Sequence, residues 1–188
     1  MGRACAPPER ITWSRPVRFL FVDRILRLEE GTEAVVRKNV SNSEDFFADH
    51  FEGRPIMPGC LILETCDQAA RLLLAKSAEF AVLPSLEGVA NAKMQHFVQP
   101  GDLLEVRVTV AGRTADGVEV RATAGVGERI VARASLHYRL IPATTDTLTG
   151  RACQRMRGFY EELATDMERI AAERRMGTGT SGGEAQRA

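Results

Sequence analysis

No apolar run in this 188-residue chain approaches the roughly 18 residues needed to cross a bilayer. The N-terminal stretch MGRACAPPERITW also lacks the apolar core of a signal peptide, so a cytoplasmic location is expected. There is no net charge: 25 Lys and Arg balance 25 Asp and Glu. That argues against a general nucleic-acid binder, which carries a basic excess, while leaving room for a local basic patch. The cysteines are Cys5, Cys60, Cys66 and Cys153, with neither CxxC spacing nor the density of a disulfide scaffold. Reduced thiols and no metal site are expected. Hydrophobic residues nonetheless make up 44%, enough for one domain with its own core.

Periodicity divides the chain. Residues 1–13 read as an N-terminal arm, with Pro7 and Pro8 as breakers. Two β-compatible runs, about 19–28 and 33–40, flank Glu29-Glu30-Gly31-Thr32 and predict a hairpin. Residues 41–58 are loop-like and punctuated by Gly53, Pro55 and Pro58. Cys60 to Lys76 is rich in Leu, Ala, Glu and Gln and predicts a helix, with Pro58 suited to its first turn. Residues 86–141 are β-rich, and two runs in them alternate at period two: Leu104, Val106, Val108 and Val110 against Glu105, Arg107 and Thr109, then Val118, Val120, Ala122 and Ala124 against Glu119, Arg121 and Thr123. The order hairpin, long helix, strand meander predicts an α+β fold with an antiparallel sheet. Residues 142–150 read as a linker. Residues 151–176 read as an amphipathic helix whose stripe runs through Ala152, Met156, Phe159, Leu163, Met167 and Ile170, and 177–188 as a disordered tail.

The chemistry-bearing segment is His50 to Glu64. An imidazole on a Gly/Pro loop before an apolar helix suits proton transfer at neutral pH. Glu64 lies inside that helix among apolar neighbours, where a carboxylate must be partnered, exposed or functionally tuned. Cys60, Glu64, Gln68 and Arg71 share one helical stripe, so Gln68 is placed to hydrogen-bond Glu64. Gly59 at the helix start carries no side chain, and its N–H is an unpaired donor of the kind that holds an oxyanion. A proton acceptor, a second carboxylate and an oxyanion donor are the parts needed to remove a proton α to a carbonyl and expel a β-hydroxyl. The same stripe also reads as the wet face of an amphipathic helix, and a lone loop histidine as structural; the residues alone leave both open. His96 and His137 are read as strand residues without a site role, Cys66 as helix packing, and Asp23 with Arg24 as a structural ion pair.

The segment closely resembles the dehydratases that act on 3-hydroxyacyl chains carried by acyl carrier protein, whose motif has the form H-F-x-G-x-P-x-M-P-G-x-L-x-x-E/D. His50, Phe51, Gly53, Pro55, Met57, Pro58, Gly59, Leu61 and Glu64 meet it. Phe19-Leu20-Phe21-Val22-Asp23-Arg24-Ile25, Lys38-Asn39-Val40, Phe46-Phe47 and Pro100-Gly101-Asp102 resemble flanking family motifs, over residues 14–141 in all. The resemblance implies a hotdog fold, an antiparallel sheet wrapped around the long central helix, to which the C-terminal helix is an addition. It implies a homodimer, alone or as three dimers together, with His50 of one chain facing Glu64 of the other.

His50 would then take the α-proton, and Glu64 would help protonate or position the departing hydroxyl. Gly59 would bind the thioester carbonyl, Gln68 would orient Glu64, and Phe51 and Met94 would line the substrate path. Met94 stands where the family often has an aromatic gate. Neither metal nor organic cofactor is implied. The partner would be an acidic acyl carrier protein, with Arg18, Arg54 and Lys93 as candidate contacts. The rival readings are a hotdog thioesterase and a non-catalytic acyl-binding hotdog subunit.

Overall fold

Alternation of branched apolar and charged side chains is what makes the sheet. Leu104, Val106 and Val108 are buried on one face while Glu105 and Arg107 point to solvent, and Val118, Val120, Ala122 and Ala124 repeat the pattern on the next strand. The computed structural model describes residues 19–50, 53–115, 117–144 and 147–177, with the backbone alone for 48, 49, 166 and 168–177. The elements are β1 (Arg24–Glu29), β2 (Glu33–Asn39), α1 (Phe46–Asp49), α2 (Gly59–Lys76), β3 (Val82–Met94), β4 (Leu103–Arg113), β5 (Val118–Val126), β6 (Arg129–Pro142) and α3 (Leu148–Gly177).

The six strands form one sheet in the order β1-β2-β4-β5-β6-β3, and every neighbouring pair is antiparallel. The hairpin β1–β2 and the meander β4–β5–β6 agree with the period-two reading. The centre of the sheet is small: Ala122 faces Ala134 and Ala124 faces Ala132 across β5 and β6, all buried. With Ala69 and Ala70 on α2, also buried, these side chains let the helix lie close to the sheet. α2 packs against β2, β3, β4, β5 and β6, the arrangement of a helix wrapped by a curved sheet. Its buried face carries Ile62, Cys66, Ala69, Leu72 and Leu73, and the Cys60–Glu64–Gln68–Arg71 stripe lies off it.

One buried polar group crosses this core. Asp67 on α2 accepts a hydrogen bond from the Tyr138 hydroxyl on β6 at 2.6 Å and pairs with Arg71 Nε at 2.7 Å. Burial, with the Asp67 charge beside it, pushes the Tyr138 hydroxyl far up, so it stays a donor. Burial opposes the charge on Arg71, but the hydrogen bond and charge of Asp67 outweigh it and raise its pKa. Tyr138→Phe, which leaves one Asp67 oxygen without its donor, is expected to cost about 1–3 kcal/mol, read from the shift in denaturant midpoint. A neutral substitution would show that solvent replaces the hydroxyl.

The Cys66 thiol is likewise buried, and burial, with Asp67 adding to it, pushes it up to about 12. Its folded-state pKa lies above the ordinary thiol value of 9.0, so its contribution to stability is complete below that value and lost as pH rises toward 12. At about pH 8 a thiol-disulfide reagent should modify exposed Cys60 in the folded protein and reach Cys66 only after denaturation. Rapid native-state labelling of Cys66 would contradict this burial.

Several details differ from the sequence expectations. The linker expected over 142–150 is shorter, because β6 runs to Pro142 and α3 begins at Leu148. Thr147 accounts for this: its Oγ1 accepts the Gly150 N–H at 3.2 Å and its carbonyl accepts the Arg151 N–H at 3.0 Å, the two bonds of a helix N-cap. β1 starts at Arg24, later than its expected position near residue 19. His96 lies just past the end of β3, outside the strand. Asp23 meets Lys38, with Nζ at 3.7 Å, and accepts the Asn39 N–H at 2.6 Å. Its partners are therefore on β2, which ties together two motifs that are separate in sequence. The N-terminal arm and residues 178–188 of the expected tail lie outside the described residues.

Beyond the strands, α3 packs against β1, β3 and α2, so it touches both edges of the curved sheet and the helix between them. Cys153 and Leu163 are buried there. Burial pushes the Cys153 thiol up. At the far end of α2 the backbone turns through two positive φ angles, Glu79 at 50° and Phe80 at 59°, a strained conformation for side-chain-bearing residues. That turn presents Phe80 to α3: its ring meets Tyr160 at 5.6 Å and Arg157 at 5.1 Å, and Arg157 Nη2 donates to the Glu79 carbonyl at 2.8 Å.

Candidate active site

The loop that carries His50 is braced at both ends. Before it, α1 is held by rings: Phe46 lies 4.5 Å from Phe47 and 6.4 Å from Phe21, and Phe21 lies 4.5 Å from Phe19. After it, buried Met57 donates its N–H to the Val98 carbonyl at 2.8 Å. Gly53, at φ +73°, supplies the reversal between them, a backbone position that favours glycine. The half-buried His50 ring lies with Nδ1 2.7 Å from the Ile56 carbonyl. A carbonyl only accepts, so Nδ1 carries the hydrogen and Nε2 bears the lone pair of the neutral imidazole. The loop thereby fixes which nitrogen can act as a base.

Pro58 caps α2 from outside, and the helix bonds begin with Leu61 and Ile62 donating to its carbonyl at 2.9 and 3.2 Å. The N–H groups of Gly59 and Cys60 precede that first bond and point out of the helix end. A Cβ on Gly59 would stand 3.2 Å from Met94 Cγ, so the Met94 side chain packs directly on this bare helix start.

Glu64 sits five residues further, about 7.5 Å along the axis. It is half-buried and accepts from Gln68 Nε2 at 2.8 Å. Both Nε2 hydrogens of Gln68 are used, since Nε2 also donates to the Phe19 carbonyl at 2.9 Å, and Oε1 accepts the Phe21 N–H at 2.8 Å. The Phe21 N–H can meet only an oxygen, which sets the amide orientation and aims Nε2 at Glu64. The Glu64–Gln68 pair was legible from helical spacing. The Phe19–Phe21 clamp was not, because it comes from a segment 47 and 49 residues away. Asp67 was also missed, although its i,i+4 spacing to Arg71 was a visible signal.

The structure thus brings Gly59 and Met94 together, and Glu64 and Gln68 together, with His50 on the loop leading into the same helix. Phe51 lies outside the described residues. Among the described residues, no group of three or more His, Cys, Asp or Glu is placed to hold a metal ion. Near Met94, a cavity of about 380 Å³ is bounded by Arg54, His96, Phe97 and Arg129, with the Arg54 guanidinium 5.9 Å from the Phe97 ring centre.

A family model described as the FabA-like domain matches residues 14–135. The chain is 37% identical over 130 residues to the 3-hydroxyacyl-[acyl-carrier-protein] dehydratase FabZ of Levilactobacillus brevis, covering 69% of this chain and 87% of that one. It is 41% identical over 129 residues to the protein of the same name from Symbiobacterium thermophilum, covering 68% and 90%. Among solved structures it resembles a hot-dog-like protein from Thermanaerovibrio acidaminovorans, with TM-score 0.53, 21% identity, and coverage of 68% of this chain and 93% of that one. That last likeness bears on the fold alone. With the helix-in-sheet architecture and the His50–Glu64 motif both in place, the chain belongs to the FabA-like family of hotdog proteins, and α3 lies beyond the span that the family shares.

Proposed function

We propose that this protein is a lyase that removes water from a 3-hydroxyacyl thioester, carried by acyl carrier protein in fatty-acid biosynthesis, to leave the trans-2-enoyl thioester. In the proposed reaction the Gly59 N–H donates to the thioester carbonyl, where negative charge develops as the α-proton leaves. His50 Nε2 takes that proton. Glu64 delivers a proton to the β-hydroxyl, which departs as water, and the Cα–Cβ double bond forms from the electrons of the broken C–H bond. Return of the proton from His50 to Glu64 completes the cycle. The observation that carries this assignment is the placement of His50, with Nδ1 2.7 Å from the Ile56 carbonyl, on the loop leading into the helix that bears Glu64 and Gln68.

The site is proposed to be shared between two copies of the chain. In support, β3 is an edge strand of 13 residues whose outer side pairs with no strand of this sheet. Val89, Met94 and Phe97, on or just past it, are 43%, 42% and 60% exposed. An open edge with apolar side chains favours pairing with a second copy. The basic rim of Arg54, His96 and Arg129, with Lys93 exposed nearby, suits an acidic carrier protein. Arg18 lies outside the described residues. A cytoplasmic location belongs to the proposal on the sequence reading; no helix among the described residues is long and apolar enough to cross a membrane.

Incubation of the purified protein with a 3-hydroxyacyl carrier protein should raise the ultraviolet absorbance of the conjugated enoyl thioester without releasing free thiol. Thiol release without enoyl formation would instead establish a thioesterase. Substrate binding with neither product would establish a binding subunit.

A further inference from the structure

α3 lies outside the family span, yet it walls a cavity that reaches the reactive carboxylate through one side chain. The cavity, about 270 Å³, lies between α2 and α3 and is lined by Leu20, Gln68, Leu72, Ala152, Met156 and Phe159. Gln68 faces the cavity and donates to Glu64 at 2.8 Å. From Glu64 to Leu72 is eight residues of helix, about 12 Å along the axis.

The lining identifies the occupant. Leucine, alanine, methionine and phenylalanine side chains suit an alkyl chain. Two guanidiniums also border the space, Arg71 and Arg155. Arg71 is already paired with the buried Asp67 at 2.7 Å, so its charge is balanced before any ligand arrives. Arg155 is exposed and stands on the solvent side. The volume lies near the small end for ligand sites, which suits the far part of a chain better than a whole cofactor.

We propose that α3 forms the distal wall of the acyl-chain site, and that Ala152, Met156 and Phe159 set the chain length this enzyme accepts. The proposal rests on the dehydratase reading. An acyl chain whose β-carbon lies at Glu64 runs along α2 past Gln68 and ends against α3. These three residues act on specificity by shape, since one methylene that fits or does not fit an apolar pocket changes discrimination by about 10–200-fold.

The test is kcat/KM for carrier-bound 3-hydroxyacyl chains of increasing length, using the full chain and two variants that act in opposite directions. Ala152→Phe fills the cavity and should lower the ratio of long-chain to short-chain kcat/KM by about tenfold or more. Phe159→Ala opens it and should move the preference to longer chains. If thermal melting shows that Phe159→Ala is unfolded, Met156→Ala serves as the opening variant. Folded variants whose length profile superposes on that of the wild type would overturn the proposal. So would a fall by the same factor at every length, which would place the effect on Gln68 and Glu64. A wild type that dehydrates no chain of any length would overturn the dehydratase reading itself, and this inference with it.

Discussion

His50→Ala is expected to lower dehydration by about a hundredfold to ten-thousandfold, the contribution of a positioned general base. The fold should survive. The ring is half-buried, and losing its bond to the Ile56 loop carbonyl costs about 1 kcal/mol. His50→Asn separates the two roles, because an amide N–H can replace Nδ1 toward Ile56 while providing no base. Both variants should lose turnover to a similar extent, with Asn keeping the melting temperature closer to that of the wild type. The absorbance assay for the enoyl product and a thermal melt read the two effects independently. Substantial turnover in His50→Asn would show that the imidazole positions the loop and takes no proton.

Glu64→Gln is expected to cause a loss of comparable size, about a hundredfold or more. The substitution is nearly isosteric, and the carbonyl oxygen of the introduced amide could still accept from Gln68 Nε2, whose other contacts to Phe19 and Phe21 hold it in place. Geometry is kept while the ionisable proton is lost, so a large fall would point to proton donation and a small one to a structural carboxylate.

The two inactive variants also test the shared site. When His50→Ala and Glu64→Gln chains are unfolded together and refolded, half of randomly formed dimers are mixed. If each site draws His50 from one chain and Glu64 from the other, every mixed dimer holds one intact site, and about a quarter of wild-type turnover returns. A site built within one chain would give no recovery.

The parts of this protein that were legible in advance are those set by short-range pattern. The β4 and β5 alternation, the α2 composition and the Glu64–Gln68 spacing each lie within a few turns or one strand, where backbone geometry alone dictates which side chains share a face. The His50 to Glu64 motif is equally contiguous, so it was readable whole. The start of α3 was misplaced because the Thr147 cap depends on a side-chain hydrogen bond that composition does not reveal.

The meetings of distant residues come from packing. Met94 reaches Gly59 across a strand and a helix, Tyr138 reaches Asp67 across 71 residues, and Phe19 and Phe21 lock Gln68 from the other end of the domain. The His50–Glu64 motif and the elements that carry it could be read from the chain alone, because periodicity and motif are local properties of the chain. Only the packed structure decided which amide aims Glu64, which nitrogen of His50 is basic, and which helix closes the cavity behind them. Those depend on where separate segments are brought together, and burial of apolar surface, which drives that assembly, is non-directional: it marks which face of a segment is buried but not which partner covers it.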